Sequence, residues 1–189
     1  MKSFTAKNRI LISRLFALLV FVYIFVSDLG TIEDEFFHIP LSLFGFILVL
    51  IGSIGRLWCA LYIEGNKTKK LRIQGPYSIS RNPLYFFSFI MLSGYMLGIQ
   101  NIVLPFILCL FFVVVYYQTI KNEEINLTKI HGKKYIDYCN KVPMIFPRFK
   151  NYNSKVENET IEVKIKNIQN VLIETAGFIL MYFLVFLFV

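Results

Sequence analysis

The sequence has few of the residues on which metal and disulfide sites depend. It contains only three cysteines, Cys59, Cys109 and Cys139, and they form no C-x-x-C pair. An odd number of widely spaced cysteines argues against a disulfide framework or a zinc site. The two histidines, His38 and His131, are too few for a multi-histidine metal centre. We therefore expect no metal cofactor.

The chain also lacks the glycine-rich fingerprints of nucleotide-binding folds. Neither G-x-G-x-x-G nor G-x-x-x-x-G-K-[ST] occurs, so no motif supports a Rossmann or P-loop domain. The net charge of +8 raises nucleic acid as a partner. The basic residues lie between apolar blocks rather than on one soluble stretch, and this distribution argues against nucleic acid.

Apolar residues are in excess, at 56% of the chain, and they occur in blocks. A soluble domain has about 45–50% apolar residues. The blocks predict five transmembrane helices, at residues 10–26, 41–63, 84–99, 102–120 and 171–189. The first block could also be a signal peptide, but no small-x-small cleavage site follows it. The predicted fold class is an all-α integral membrane protein with about five transmembrane helices.

The basic residues predict an orientation for these helices. If the spans alternate in direction, all 20 Lys and Arg fall on one side, and residues 28–40, which are expected to form a short acidic loop, fall on the other. The positive-inside rule then places the N-terminus, the loop 64–82 and the segment 121–169 in the cytoplasm. The C-terminus is expected on the opposite side.

Polar residues meet at the predicted cytoplasmic surface. The loop 75–83 leads into the third span, with Asn82 as a helix cap and Pro83 in the first turn. Glu123 and Glu124 follow the fourth span on the same side. A capped helix with an interfacial Arg81 explains the loop, but it does not explain two adjacent carboxylates beside it. Spacing alone leaves a structural interface and a functional site as equal alternatives.

An ordered set of patterns makes the region more specific. It begins with G-x-Y-x-x-x-R-[HN]-P-x-Y, followed nine residues later by a Gly and seven residues further by an Asn. E-E-x-x-L, G-x-x-Y-x-x-Y and V-P-x-x-x-P come next. The residues that carry them are Gly75, Tyr77, Arg81, Asn82, Pro83, Tyr85, Gly94, Asn101, Glu123, Glu124, Leu127, Gly132, Tyr135, Tyr138, Val142, Pro143 and Pro147. This set resembles the isoprenylcysteine carboxyl methyltransferase family, whose wider superfamily includes phospholipid methyltransferases.

The resemblance implies a helical membrane enzyme that binds S-adenosylmethionine in a cytoplasmic pocket, with no Rossmann domain. It implies catalytic roles for Glu123, Glu124 and Arg81. The implied cofactor-binding residues are Lys70, Leu71, Arg72, Tyr77, Asn82, Pro83, Leu84, Tyr85, Asn101, Glu123 and Tyr135. Residues 64–150 would form the methyltransferase core, between an N-terminal transmembrane hairpin (1–63) and a linker with a C-terminal transmembrane helix (151–189).

Two departures from the family pattern bear on the methyl acceptor. Asn82 stands where the carboxyl methyltransferases usually have His, and Asn cannot carry a charge for acid–base chemistry. Thr119 stands four residues before Glu123, where those enzymes carry an arginine associated with substrate. The missing arginine disfavours a prenylated-cysteine carboxylate, whereas Asn82 still allows cofactor binding. The expected partners are membrane lipids and a lipid-like, lipid-modified or small amphipathic acceptor. The alternatives are phospholipid N-methylation and a non-catalytic membrane scaffold.

Polar and small residues also occur inside the predicted spans. Gly94 and Gly98 form a G-x-x-x-G pair, and we expect it to pack within the monomer rather than to form a dimer. Arg56 lies inside the second span, where it either extends to the interface or lines a route for substrate. Glu174 is expected at the interface.

Overall fold

The structure, a computed structural model, describes residues 35–63, 71–101, 103–153 and 165–188 and much of 11–26. Its helices are α1 Glu35–Ile63, α2 Pro76–Ile79, α3 Pro83–Gly98, α4 Val103–Phe111, α5 Tyr117–His131, α6 Lys133–Lys141 and α7 Ile165–Phe188. The described residues between 11 and 26 are also helical. A π-helical turn, Phe112–Tyr116, joins α4 to α5. The all-α prediction is confirmed.

Two of the described helices are long and apolar enough to cross a bilayer, Phe36–Ile63 and Val103–His131. Two shorter apolar helices accompany them, Pro83–Gly98 and Ile168–Leu184. The predicted first span lies partly outside the described residues. The count of five spans, their orientation and the division into three regions stay predictions.

α1 begins earlier than the sequence predicts. Residues 28–40 were expected to form a loop, but the helix starts at Glu35 and continues through Pro40. That expectation is wrong for residues 35–40. A proline this close to the start of a helix removes only one backbone hydrogen bond, in the second turn. The long apolar stretch that follows therefore still forms a helix.

Small residues bring α1 and α3 into close contact. A Cβ added at Gly45 would lie 2.7 Å from the carbonyl oxygen of Gly94, and a Cβ at Gly94 would lie 2.5 Å from that of Gly45. Gly98 faces the ring of Tyr182 on α7. The G-x-x-x-G pair therefore packs within the chain, as expected, because only glycine leaves room for such close backbones.

Arg56 links three helices. Its Nη2 lies 2.9 Å from Oε1 of Glu174 on α7, and its Nη1 donates to the Ser88 hydroxyl on α3. The guanidinium also lies 5.1 Å from the centre of the Phe178 ring, a favourable cation–π distance. Neither sequence alternative for Arg56 included this role, which fastens α7 to the bundle.

At one end of the bundle, the loop before α3 is covered by the segment after α6. We call residues 142–153 the cover segment. Three backbone N–H groups join it to the loop at 2.9 Å each: Arg81 to the Pro143 carbonyl, Arg148 to that of Ile79, and Gly75 to that of Asn153. The loop and the cover segment are therefore one hydrogen-bonded layer above the helix ends.

Candidate functional site

An ion pair between the loop and α5 lies at the centre of this layer. Nε of Arg81 is 2.9 Å from Oε1 of Glu124, and each side chain is only 12% exposed. Nη2 of Arg81 donates to Oε2 of Glu124 at 3.4 Å, and Nη1 donates to the carbonyl oxygen of Cys139 at 3.0 Å. One guanidinium therefore fixes the loop, α5 and α6 together.

Asn82 completes the arrangement. Its Nδ2 donates to Oε1 of Glu124 at 3.3 Å and to the Met144 carbonyl oxygen at 3.1 Å. Asn82 stands at the N-cap position of α3, as predicted, but its side chain makes no cap bond to the start of the helix. A buried carboxylate and a carbonyl of the cover segment need donors, and the Asn82 amide supplies them.

We call Arg81, Asn82 and Glu124 the clamp. Only 9% of Glu124 is exposed, and its two oxygens already face three donor groups of the other two residues. This geometry supports a positioning role for Glu124 and Arg81. The catalytic roles implied for them stay predictions.

Glu123 has a different environment, although it is the neighbouring residue. It is half-buried and accepts a hydrogen bond of 2.9 Å from the Tyr85 hydroxyl on α3. The Tyr85 ring lies 5.4 Å from that of Tyr116, and Tyr116 stacks on Phe112 at 4.8 Å. A carboxylate therefore lies beside a column of aromatic rings, and both groups attract a cation.

Tyr77 was predicted to contact the cofactor, and the structure places its side chain in the protein interior. The residue is 7% exposed, and its hydroxyl donates to the Cys59 carbonyl oxygen of α1 at 3.4 Å. Its own carbonyl accepts a hydrogen bond of 2.6 Å from the Tyr138 hydroxyl. Burial raises the pKa of Tyr77 and of Tyr138 above the ordinary value of 10.0. Both tyrosines stay neutral and anchor the loop.

Tyr135 lies on the α6 side of the clamp and is 2% exposed. Burial is the largest cause that raises its pKa, and the negative charge of Glu124 adds to it. Leu71 packs in the same cluster as Tyr135 and Tyr138. Two of the implied cofactor-binding residues, Leu71 and Tyr135, therefore belong to this cluster.

The remaining predicted residues have mixed positions. Pro83 is buried in the first turn of α3, and Leu84 packs against the cluster around Tyr77. Arg72 is half-buried. Lys70 lies outside the described residues.

Asn101 lies at the other end of α3 from the clamp. Its Oδ1 accepts hydrogen bonds from the N–H groups of Val103 at 3.0 Å and Leu104 at 3.1 Å, so it caps α4. A helix of 16 residues is about 24 Å long. The structure therefore does not bring Asn101 to the other predicted site residues.

Thr119 stands where the resemblance implied a substrate arginine. It is 2% exposed, and its hydroxyl donates to the Val115 carbonyl oxygen at 2.9 Å. That carbonyl belongs to the π-helical turn. The Thr119 hydroxyl is therefore hydrogen-bonded within its own helix, and the side chain offers no charge to an acceptor.

Sequence reasoning missed two members of the site. Tyr116 precedes Glu123 by seven residues, or about two helical turns, so the two share a helix face. That spacing was a signal that could have found Tyr116. The Met144 carbonyl is a backbone acceptor from a distant segment, and no side-chain pattern indicates it.

Comparison with known proteins fits this arrangement. Residues 41–134 match the family model described as phospholipid methyltransferase. The chain belongs to the phospholipid methyltransferase family. This family is part of the superfamily that contains the isoprenylcysteine carboxyl methyltransferases, so the resemblance seen in the sequence is confirmed. The matched residues include the whole clamp and the Tyr85–Glu123 contact.

Two relatives carry names that refer to metals. The chain is 33% identical over 153 residues to the nickel-cobalt-cadmium resistance protein NccN of Alcaligenes xylosoxydans xylosoxydans. The aligned region covers 81% of this chain and 71% of NccN. It is 32% identical over 111 residues to the cobalt-zinc-cadmium resistance protein CzcN of Cupriavidus metallidurans, which covers 59% of this chain and 51% of CzcN. No solved structure matches.

The described part of the chain contains no group of three or more His, Cys, Asp and Glu side chains that could hold a metal ion.

Proposed function

We propose that this member of the phospholipid methyltransferase family transfers a methyl group from S-adenosylmethionine to a lipid-like or small amphipathic acceptor. The observation that carries the proposal is the half-buried Glu123, held by the Tyr85 hydroxyl at 2.9 Å beside the ring of Tyr116. A sulfonium compound is a cation, and a carboxylate next to aromatic faces is a suitable environment for it.

The residues fit the cofactor by their chemistry. Glu123 offers a negative charge to the positive groups of S-adenosylmethionine, and the rings of Tyr85 and Tyr116 offer flat apolar surfaces to an adenine. S-adenosylmethionine, when bound, supplies an activated methyl group. The chain's own residues then have to align donor and acceptor and exclude water.

In this proposal, the clamp positions the two sides of the cofactor site. Arg81 and Asn82 come directly before α3, which carries Tyr85, and Glu124 directly follows Glu123 on α5. The ion pair and the amide hydrogen bonds therefore fix the spacing between the two sides of the proposed cofactor site. A shift of about 1 Å in such a site can lower a rate about 100-fold.

The proposed acceptor reaches this site sideways from the bilayer, while the cofactor comes from the cytoplasm. This arrangement uses the predicted orientation, with five spans, the N-terminus in the cytoplasm and the C-terminus on the opposite side. Thr119 gives no cation for a carboxylate acceptor, and the matching family model is that of phospholipid methyltransferases. Both observations favour an amine-bearing lipid, and therefore N-methylation, over a prenylated-cysteine carboxylate.

Calorimetry with S-adenosylmethionine tests the cofactor site. We expect Glu123→Gln to weaken binding by about ten-fold or more, since a hydrogen bond to a charged group contributes about 1.5–3 kcal/mol. The matched control is Glu174→Gln, which removes an equivalent charge from α7. Equal affinity in the wild type and Glu123→Gln would refute the proposed site.

Methyl transfer itself is tested with radiolabelled S-adenosylmethionine and membranes that contain the protein. We expect label in the organic phase with the wild type and a strong loss with Glu123→Gln. Label that is absent with every lipid tried, combined with normal cofactor binding, would favour a non-catalytic scaffold.

The names of the relatives suggest a physiological context. NccN and CzcN are named as metal resistance proteins, and we propose that methyl transfer by this chain contributes to tolerance of such metal ions. Growth in nickel, cobalt, zinc or cadmium should fall when the gene is removed, and wild type but not Glu123→Gln should restore it. Restoration by Glu123→Gln would separate resistance from methyl transfer.

A further inference from the structure

The cover segment exposes large aromatic side chains. Phe146 is 78% exposed, Phe149 is 70% exposed and Tyr152 is 52% exposed. Scattered exposed apolar residues are common, but three large rings within seven residues form a local patch. The rest of this segment is fastened to the loop by the hydrogen bonds already described. The aromatic patch therefore projects from a fixed backbone.

Two ring contacts place this patch at the ends of two apolar helices, the start of α3 and the end of α1. The Phe146 ring lies 6.5 Å from that of Phe86 in the first turn of α3. The Tyr152 ring lies 6.1 Å from that of Trp58, in the last two turns of α1. The ends of apolar helices mark the interface between hydrocarbon and water, where aromatic side chains are enriched.

The charge of the segment has one sign. Arg148 and Lys150 are exposed, and residues 142–153 contain no Asp or Glu. Exposed aromatic rings with basic neighbours fit a surface that has an apolar layer beneath negatively charged groups. A leaflet rich in anionic phospholipids has both properties, and each Lys or Arg near it is attracted to the negative headgroups.

We propose that the cover segment docks on the membrane surface, with Phe146, Phe149 and Tyr152 in the interface and Arg148 and Lys150 on anionic lipid headgroups. The docked segment is tied to the clamp, because Asn82 donates to the Met144 carbonyl oxygen and the Arg148 N–H donates to the Ile79 carbonyl oxygen. Anionic lipid therefore stabilises the layer that holds the clamp in place.

Tryptophan quenching in lipid nanodiscs tests the docking without any cofactor. The wild type has one tryptophan, Trp58, so it gives the background. Phe149→Trp reports on the patch, and Asn140→Trp on the exposed face of α6 is the matched control. With bromine-labelled acyl chains, we expect additional quenching for Phe149→Trp and none for Asn140→Trp. Quenching of Phe149→Trp no greater than that of Asn140→Trp would overturn the proposal.

The choice of lipid is tested by a second arm with the same reporter. We expect the quenching of Phe149→Trp to rise when phosphatidylglycerol replaces part of the phosphatidylcholine. Arg148→Gln and Lys150→Gln should each lower the ratio of docked to undocked segment roughly five-fold in the anionic discs. Quenching that does not depend on phosphatidylglycerol would refute the recognition of anionic headgroups. Because no cofactor is present, these results do not depend on the methyltransferase proposal.

Discussion

Two Arg–Glu pairs in this protein have the same closest N–O distance, 2.9 Å, but different surroundings. In Arg81–Glu124, both side chains are 12% exposed. In Arg56–Glu174, the exposed fractions are 23% and 53%. The first pair joins the loop to α5 beside the proposed site, whereas the second joins α7 to α1.

The difference shows that distance alone does not give the strength of an ion pair. The more buried charges of the clamp have lost most of their water, so each depends on its partner and on the surrounding donors and acceptors. Glu174 is expected at the interface, where water compensates its charge if Arg56 is removed. We therefore expect loss of one clamp residue to cost more than loss of one residue from the outer pair.

The largest expected effect is that of Glu124→Ala, which leaves Arg81 buried without its carboxylate. Removal of one partner from a buried pair costs about 3 kcal/mol or more in the free energy of unfolding. Denaturant titration of the purified protein in detergent measures it. The double variant Arg81→Ala with Glu124→Ala should recover part of the loss, and a stability equal to that of the wild type in Glu124→Ala would contradict the clamp.

Asn82→Asp sharpens the comparison, because it keeps the side-chain shape and changes only its chemistry. A second carboxylate would face Glu124, and two donors to Glu124 and Met144 would be lost. We expect a loss of about 2 kcal/mol at neutral pH, since unsatisfied buried acceptors and like charges both destabilise. The same titration should show a smaller loss at acidic pH, where the added carboxyl is protonated; an equal loss at both pH values would show that repulsion is not the cause.

The smallest effect is expected for Glu174→Ala. Its side chain is 53% exposed, and exposed pairs contribute about 0–1 kcal/mol. Its effect on thermal stability should shrink further at high salt, because salt screens exposed charges. A loss as large as that of Glu124→Ala would break the distinction between the two pairs.

Local patterns predicted the elements of this fold well. The apolar blocks gave α3 to within one residue at each end. They did not give the start of α1, because a proline and acidic residues are typical of loops. The ordered motifs also led to the family that the comparisons confirm.

The site was only partly predictable. Arg81, Asn82 and Glu124 were expected near one another, and the structure brings them together. Sequence patterns placed Tyr77 beside the cofactor, but its side chain is buried toward α1. Asn101 was assigned by its motif position, although a whole helix separates it from the clamp. A motif records which residues occur, whereas the direction of each side chain depends on the elements packed around it.

The sequence by itself determined that the chain forms apolar helices with polar, basic segments between them, because hydrophobicity and turn residues act over a few neighbouring positions. It also determined the family, because the family is recognised by the order of its motifs along the chain. Only the tertiary structure decided that Glu124 is held by Arg81 and Asn82 while Glu123 meets Tyr85. That division depends on the packing of α3, α5 and the cover segment, which places two adjacent carboxylates in different surroundings.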